Sequence, residues 1–187
     1  MSHGKGCRMR ARVFIKQYNH LKKVGDKAFE NVFYAMQLLN YTALNDVFAF
    51  TNDEMKLFNE HCKDYNNTCL DDKQTFHDEE KRLLDEYSID CEEYAKTFPQ
   101  RSKLKMINHK FSNKFPQDIA LSDATDSINV CMVLFLHELT TNWGKTPDEI
   151  AEYCETMKNN SMCYSNGMTN EFVLKYFKDY FDLEITM

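Results

Sequence analysis

His137-Glu138-Leu139-Thr140-Thr141 is the nearest approach in this chain to a recognised chemical motif. A helical zinc protease motif needs two imidazoles four residues apart on one face, with a glutamate between them as general base. Here the second position is Thr141, and no histidine follows His137. The stretch is expected in a helix, with His137 facing a polar patch or the edge of the core. His61, Cys62, Cys69 and His77 form a looser set of zinc-type donors, but their spacings match no finger or ribbon. Cys62 falls where helical periodicity asks for an apolar side chain, so the set reads as buried thiols and surface imidazoles.

Nucleophilic chemistry has no better footing. There is no G-x-S-x-G elbow and no glycine-rich phosphate loop, and five glycines in all give a phosphate-cradling turn little material. Paired carboxylates are plentiful, at Asp71-Asp72, Asp78-Glu79-Glu80 and Glu92-Glu93. They fall in a solvated acidic helix pattern that serves solubility and helix N-terminal charge. The sequence therefore assigns no catalytic residue, no metal and no cofactor, and the expectation is a protein that is not an enzyme.

The elements that carry these residues read as helices. With 187 residues, 43% of them hydrophobic and 28% charged, the composition is that of a globular chain. Five Gly and three Pro stand against 13% aromatic residues, which favours helices joined by short turns. No charge-free apolar run reaches the roughly 20 residues of a bilayer span, and MSHGKGCRMRAR lacks the apolar stretch of a secretion signal. A cytoplasmic location without membrane contact is expected. Cys7, Cys62, Cys69, Cys91, Cys131, Cys154 and Cys163 are odd in number and include no C-x-x-C, as expected of reduced thiols.

Two capping boxes mark helix starts, Thr51-Asn52-Asp53-Glu54 and Thr146-Pro147-Asp148-Glu149. Upstream of each lies a long apolar segment, 29–50 and 126–143. The second contains INVCMVLFL, which could pass for a strand. Its counterpart has Phe29, Val32, Met36, Leu39, Ala43, Val47 and Phe50 at helical spacing, so both are read as helices. Downstream, 75–90 and 169–185 also correspond. Charge follows the same rhythm: residues 1–25 hold seven Lys or Arg and no acid, and 26–94 have a net charge of −11. Residues 95–117 hold six bases and no acid, and 118–187 have a net charge of −8. The expected fold is all-α, a helical bundle built from two diverged tandem copies, 1–94 and 95–187. Pro99 and Pro116 punctuate the joint.

The basic leads are the more informative surfaces. On a helix over about 7–23, Arg8, Arg12, Lys16 and Lys23 follow one another beside an apolar stripe of Phe14, Tyr18 and Leu21. The second lead offers Arg101, Lys103, Lys105 and Lys110, with Lys114, around Leu104, Ile107 and Phe111. Two readings stand side by side: these cations grip DNA or RNA phosphates, or they pack against the protein's own acidic helices. The acidic helices, with Asp78, Glu79, Glu80 and Glu86 as candidate partner contacts, suit a positively charged groove on another protein.

The turn HELTTNWGK, the capped helix after it and the closing LKYFKDYFDLEI (136–145, 146–160 and 174–185) resemble small all-helical proteins of phages and prophages of low-GC Gram-positive bacteria. A weaker first copy covers 29–89, with Phe48-Ala49-Phe50 in place of the Trp-Gly turn. The resemblance implies a small accessory phage protein, from a pool that includes anti-CRISPR proteins binding an effector nuclease. The expected function is thus a non-catalytic inhibitor of a host nucleic-acid-handling defence system, its partner a host defence protein such as a CRISPR effector nuclease. The alternative is a DNA-binding accessory or regulatory phage protein acting through the basic segments.

Overall fold

The computed structural model describes the backbone of residues 3–108 and 114–167 and of 169, 171, 172, 175, 178 and 179, and side chains from residue 26 onward except 115 and 165. The described residues form seven long or medium helices and no strand: α1 His3–Phe48, α2 Asn52–Asp71, α3 Lys73–Tyr87, α4 Cys91–Thr97, α5 Gln100–Ile107, α6 Lys114–Thr141 and α7 Pro147–Ser165. All-α architecture follows from the sequence as expected.

Both capping boxes form. The Thr51 hydroxyl accepts the Glu54 amide and the Thr146 hydroxyl accepts the Glu149 amide, while each glutamate reaches back to its threonine. Such a cap contributes about 1 kcal/mol to a helix end whose amides otherwise lack partners. Pro147 and Pro116 sit in first turns, where a missing N–H breaks no intrahelical bond. Asp72 and Asp90 cap α3 and α4 in the same way, each accepting an early amide of its helix.

The two long helices run side by side in the same direction. Asp26 of α1 bears on Asp123 of α6 at one end, and the rings of Phe50 and Trp143 meet at 4.3 Å at the other. Small buried residues, Ala28, Ala35 and Ala43 on α1 with Ala120 and Ala124 on α6, bring their axes close. α6 touches every other helix. By length and composition 116–141 could cross a bilayer, but more than half of its most apolar window is buried against protein, the demand on a bundle's central helix.

The capped helices cross over. α2 returns along α6, with Phe58 at 6.2 Å from Phe135 and the Cys62 thiol donating to the Leu134 carbonyl. α7 returns along α1, with Tyr153 stacked on Phe48 and its hydroxyl donating to Asn40 Oδ1 at 2.6 Å. Each therefore packs on the long helix of the other half, and one continuous core draws on both halves. The turns feeding them are alike. Ala49 and Gly144 take left-handed backbone, and Phe50 and Lys145 each donate to the carbonyl six residues back.

The basic N-terminal helix and the apolar segment after it, read as two elements, are one: α1 runs unbroken through Gly25. The third correspondence, 75–90 with 169–185, has its second member largely outside the described residues.

Candidate interaction surface and the clamps behind it

The exposed surface of α2 to α4 is acidic because the buried faces of these helices take up most of their apolar residues. Met55, Phe58, Cys62 and Cys69 face inward on α2, Leu83 on α3, and Cys91 and Ala95 on α4. What remains outward between Asn52 and Thr97 is eleven exposed carboxylates against five exposed lysines. One of those lysines, Lys96, is held by Glu92 at 2.8 Å and Glu93 at 2.7 Å. Of the expected acidic contacts, Asp78 and Glu86 lie on this surface, Glu80 is half-buried, and Glu79 is buried.

Glu79 is therefore not a free contact, and the reason is a clamp that sequence spacing does not reveal. Its carboxylate takes the Arg82 guanidinium in two bonds, at 2.9 and 2.5 Å. His137 Nδ1 stands 3.1 Å from Glu79 Oε1, out of line for a hydrogen bond but close enough for an ion pair. Arg82 also donates to Thr140 on α6 and to Glu86 one turn on. Burial pushes the Glu79 carboxyl up, but His137 and Arg82 together outweigh it and hold it below the usual carboxylate range. Glu79 in turn raises Arg82 further. The His137 ring lies flat on Tyr65, centroids 3.5 Å apart, so the histidine is enclosed by α2 and α3.

A second clamp fastens α2. Glu138, with 1% of its surface exposed, accepts from His61 Nδ1 at 2.8 Å, Trp143 Nε1 at 2.8 Å and Asn142 Nδ2 at 2.5 Å. Three donors satisfy a carboxylate that burial would otherwise penalise by several kcal/mol, on the order of the cost of an unpaired buried ion. The motif that resembled a metal site thus supplies both anchors of α2 and α3 to α6: His137 takes Glu79, and Glu138 takes His61. A third contact, Asn129 Nδ2 to Glu80 Oε1 at 2.9 Å, holds the middle of α3. These partners lie 49 to 77 residues apart, and only the polar residues inside the apolar run of α6 hinted at them.

The set His61, Cys62, Cys69 and His77 does not converge. His61 is taken by Glu138 and His77 by Glu80, while both thiols are buried. No group of three or more metal-type donors occurs among the described residues. The thiols are poor nucleophiles: burial pushes Cys62, Cys69, Cys91 and Cys131 up, and Cys154 to about 12, so each stays protonated at neutral pH.

The basic candidates divide. Arg101 and Lys105 are exposed on α5. Lys103 is a correction: it is 6% exposed, donates to Thr125 Oγ1 at 2.9 Å, and burial lowers its ammonium. Helical spacing turns it from Arg101 and Lys105 towards α6, where its stem fills the gap that an exposed lysine would leave. Lys110 lies outside the described residues, as do the side chains of Arg8, Arg12, Lys16 and Lys23. No protein-family model matches the chain, and comparisons with curated proteins and with solved structures give no match.

Proposed function

We propose that this protein is a non-catalytic interaction protein whose acidic α2–α4 surface occupies a positively charged, nucleic-acid-binding groove on another protein. The observation that carries the reading is the excess of exposed carboxylates on α2, α3 and α4, the first two of which are fixed to α6 by side-chain clamps. A fixed array of like charges presents a potential that steers a basic partner and competes with a polyanion for the same groove. In its most specific form the target belongs to a host defence system and is a CRISPR effector nuclease, with the protein encoded by a phage. That form rests on the resemblance drawn from the sequence.

A tagged pull-down from a CRISPR-bearing Gram-positive lysate, with and without nuclease treatment, tests it. A defence nuclease retained after treatment is the expected result. Recovery of DNA or RNA alone would remove the inhibitor reading and favour the alternative, a DNA-binding accessory protein. One observation favours that second reading: exposed Arg101 and Lys105, together with seven bases and no acid in residues 1–25. It requires duplex DNA binding by the protein alone, falling steeply with salt and lost when Arg8, Arg12 and Lys16 become Ala.

We also propose that the fold arose by duplication of one helical unit. The matched capping boxes, the like turns at Ala49 and Gly144, and the crossed packing of α2 on α6 and α7 on α1 support descent from one duplicated unit.

A further inference from the structure

Three leucines stand exposed on the acidic surface, Leu57 and Leu70 on α2 and Leu84 on α3. Exposed carboxylates follow two of them, Asp71 after Leu70 and Asp85 after Leu84, while exposed Lys56 precedes Leu57; Asp78 lies two turns before Asp85 on α3, with exposed Lys81 between them. Between Asn52 and Tyr87 the exposed carboxylates outnumber the exposed lysines eight to four, and this excess of negative charge fits a helix of the opposite sign, whose cations meet the carboxylates.

The chain itself supplies such a helix. Residues 1–25 carry seven Lys or Arg and no acid, and from His3 their backbone belongs to α1. Positions 14, 18 and 21 continue, at spacings of four and three, the row Ala28, Val32, Ala35 and Leu39 that is buried in the core. Positions 8, 12, 16 and 23 fall off that row, so the basic positions belong to other faces of the same helix.

This basic stretch cannot be laid on the acidic surface of its own chain without breaking α1. The helix is 46 residues long, about 69 Å at 1.5 Å per residue, and packs chiefly on α5, α6 and α7. Doubling back would interrupt its hydrogen-bond ladder, and no proline lies between His3 and Phe48 to start a kink. The attraction between a stretch of charge +7 and the acidic face is therefore left to act between chains.

We propose that the acidic α2–α3 face is a docking surface for the basic N-terminal half of α1 from a second copy of this chain, and that two copies associate through this charge-complementary contact. The contact requires no particular target, although it uses part of the same face. It covers the acidic surface until a more basic partner displaces the helix.

Sedimentation of the nuclease-treated full chain tests the proposal in about 50 mM and about 500 mM salt, where the screening length falls from roughly 14 Å to 4 Å. The expected result is a dimer whose dissociation constant rises at least tenfold in the higher salt. Arg8→Glu with Arg12→Glu and Lys16→Glu should give a monomer, as should Asp71→Lys with Asp78→Lys and Asp85→Lys. Mixing these two proteins should restore a heterodimer, because the unaltered basic stretch of one meets the unaltered acidic face of the other. A wild-type protein monomeric in both salts overturns the proposal, and so does a dimer that survives either reversal. A monomer that instead binds duplex DNA through Arg8, Arg12 and Lys16 also overturns it and assigns the stretch to nucleic acid. The wild-type salt series decides by itself if a reversed variant fails to fold.

Discussion

Glu79 lies buried where α3 packs on α6, beside Arg82 and His137. Its side chain is 8% exposed and shares its oxygens between Arg82 and His137. These contacts hold its folded-state carboxyl below the ordinary value of about 4.3, so its contribution to stability is complete above that value and is lost as pH falls through the lower one. Glu79→Gln should cost roughly 2 to 3 kcal/mol at neutral pH, since it breaks a buried, bidentate ion pair while Arg82 keeps Glu86. The gap between wild type and variant should narrow as pH falls below about 4.3, where the unfolded chain takes up the proton before the folded carboxyl does. Urea denaturation followed by emission of Trp143, the single tryptophan and a member of the neighbouring clamp, measures both. A gap that stays constant to pH 3 would assign Glu79 a purely steric role.

At the scale of elements, local signals were legible and continuity was not. Thr51 and Thr146 announce their helices because a cap is written within four residues. The unbroken α1 is harder to read, because Gly25 and the change of charge at Asp26 look like a boundary, whereas a glycine costs a helix only about 1 kcal/mol and neighbouring turns absorb it. Burial of Lys103 and Glu79 depends on Thr125 and His137, residues that no local pattern ties to them. The turns give a paired prediction. Ala49 has φ 53° where Gly144 has φ 58°, and a Cβ at Gly144 would meet nothing within 4 Å, so only backbone conformation separates the two sites. Ala49→Gly should therefore stabilise by up to about 1 kcal/mol, and Gly144→Ala should destabilise by about the same. Denaturation midpoints check both signs, and equal signs would mean that the two turns are not equivalent.

For the molecule as a whole, the sequence places a joint near residue 95, and the packing shows what that joint does not do. α1 buries Val32, Met36 and Leu39 in a cluster that also holds Ile128, Leu139 and Tyr153, so neither half encloses its own apolar surface. Crossed packing makes the dependence mutual: α2 rests on α6 and α7 on α1. A chain of 94 residues is long enough to form a domain, but only if its apolar faces meet each other. Residues 1–94 alone would expose the face of α1 that α6 and α7 cover, and the face of α2 that α6 covers. The expected behaviour of either half is weak helicity and no cooperative thermal transition by circular dichroism, with the full chain melting in one step. Mixing 1–94 with 95–187 should recover helicity and the transition, because the missing contacts are between the halves and not across the severed peptide bond. A half that melts cooperatively as a monomer would show that its core closes without the other, and would make the two halves independent domains.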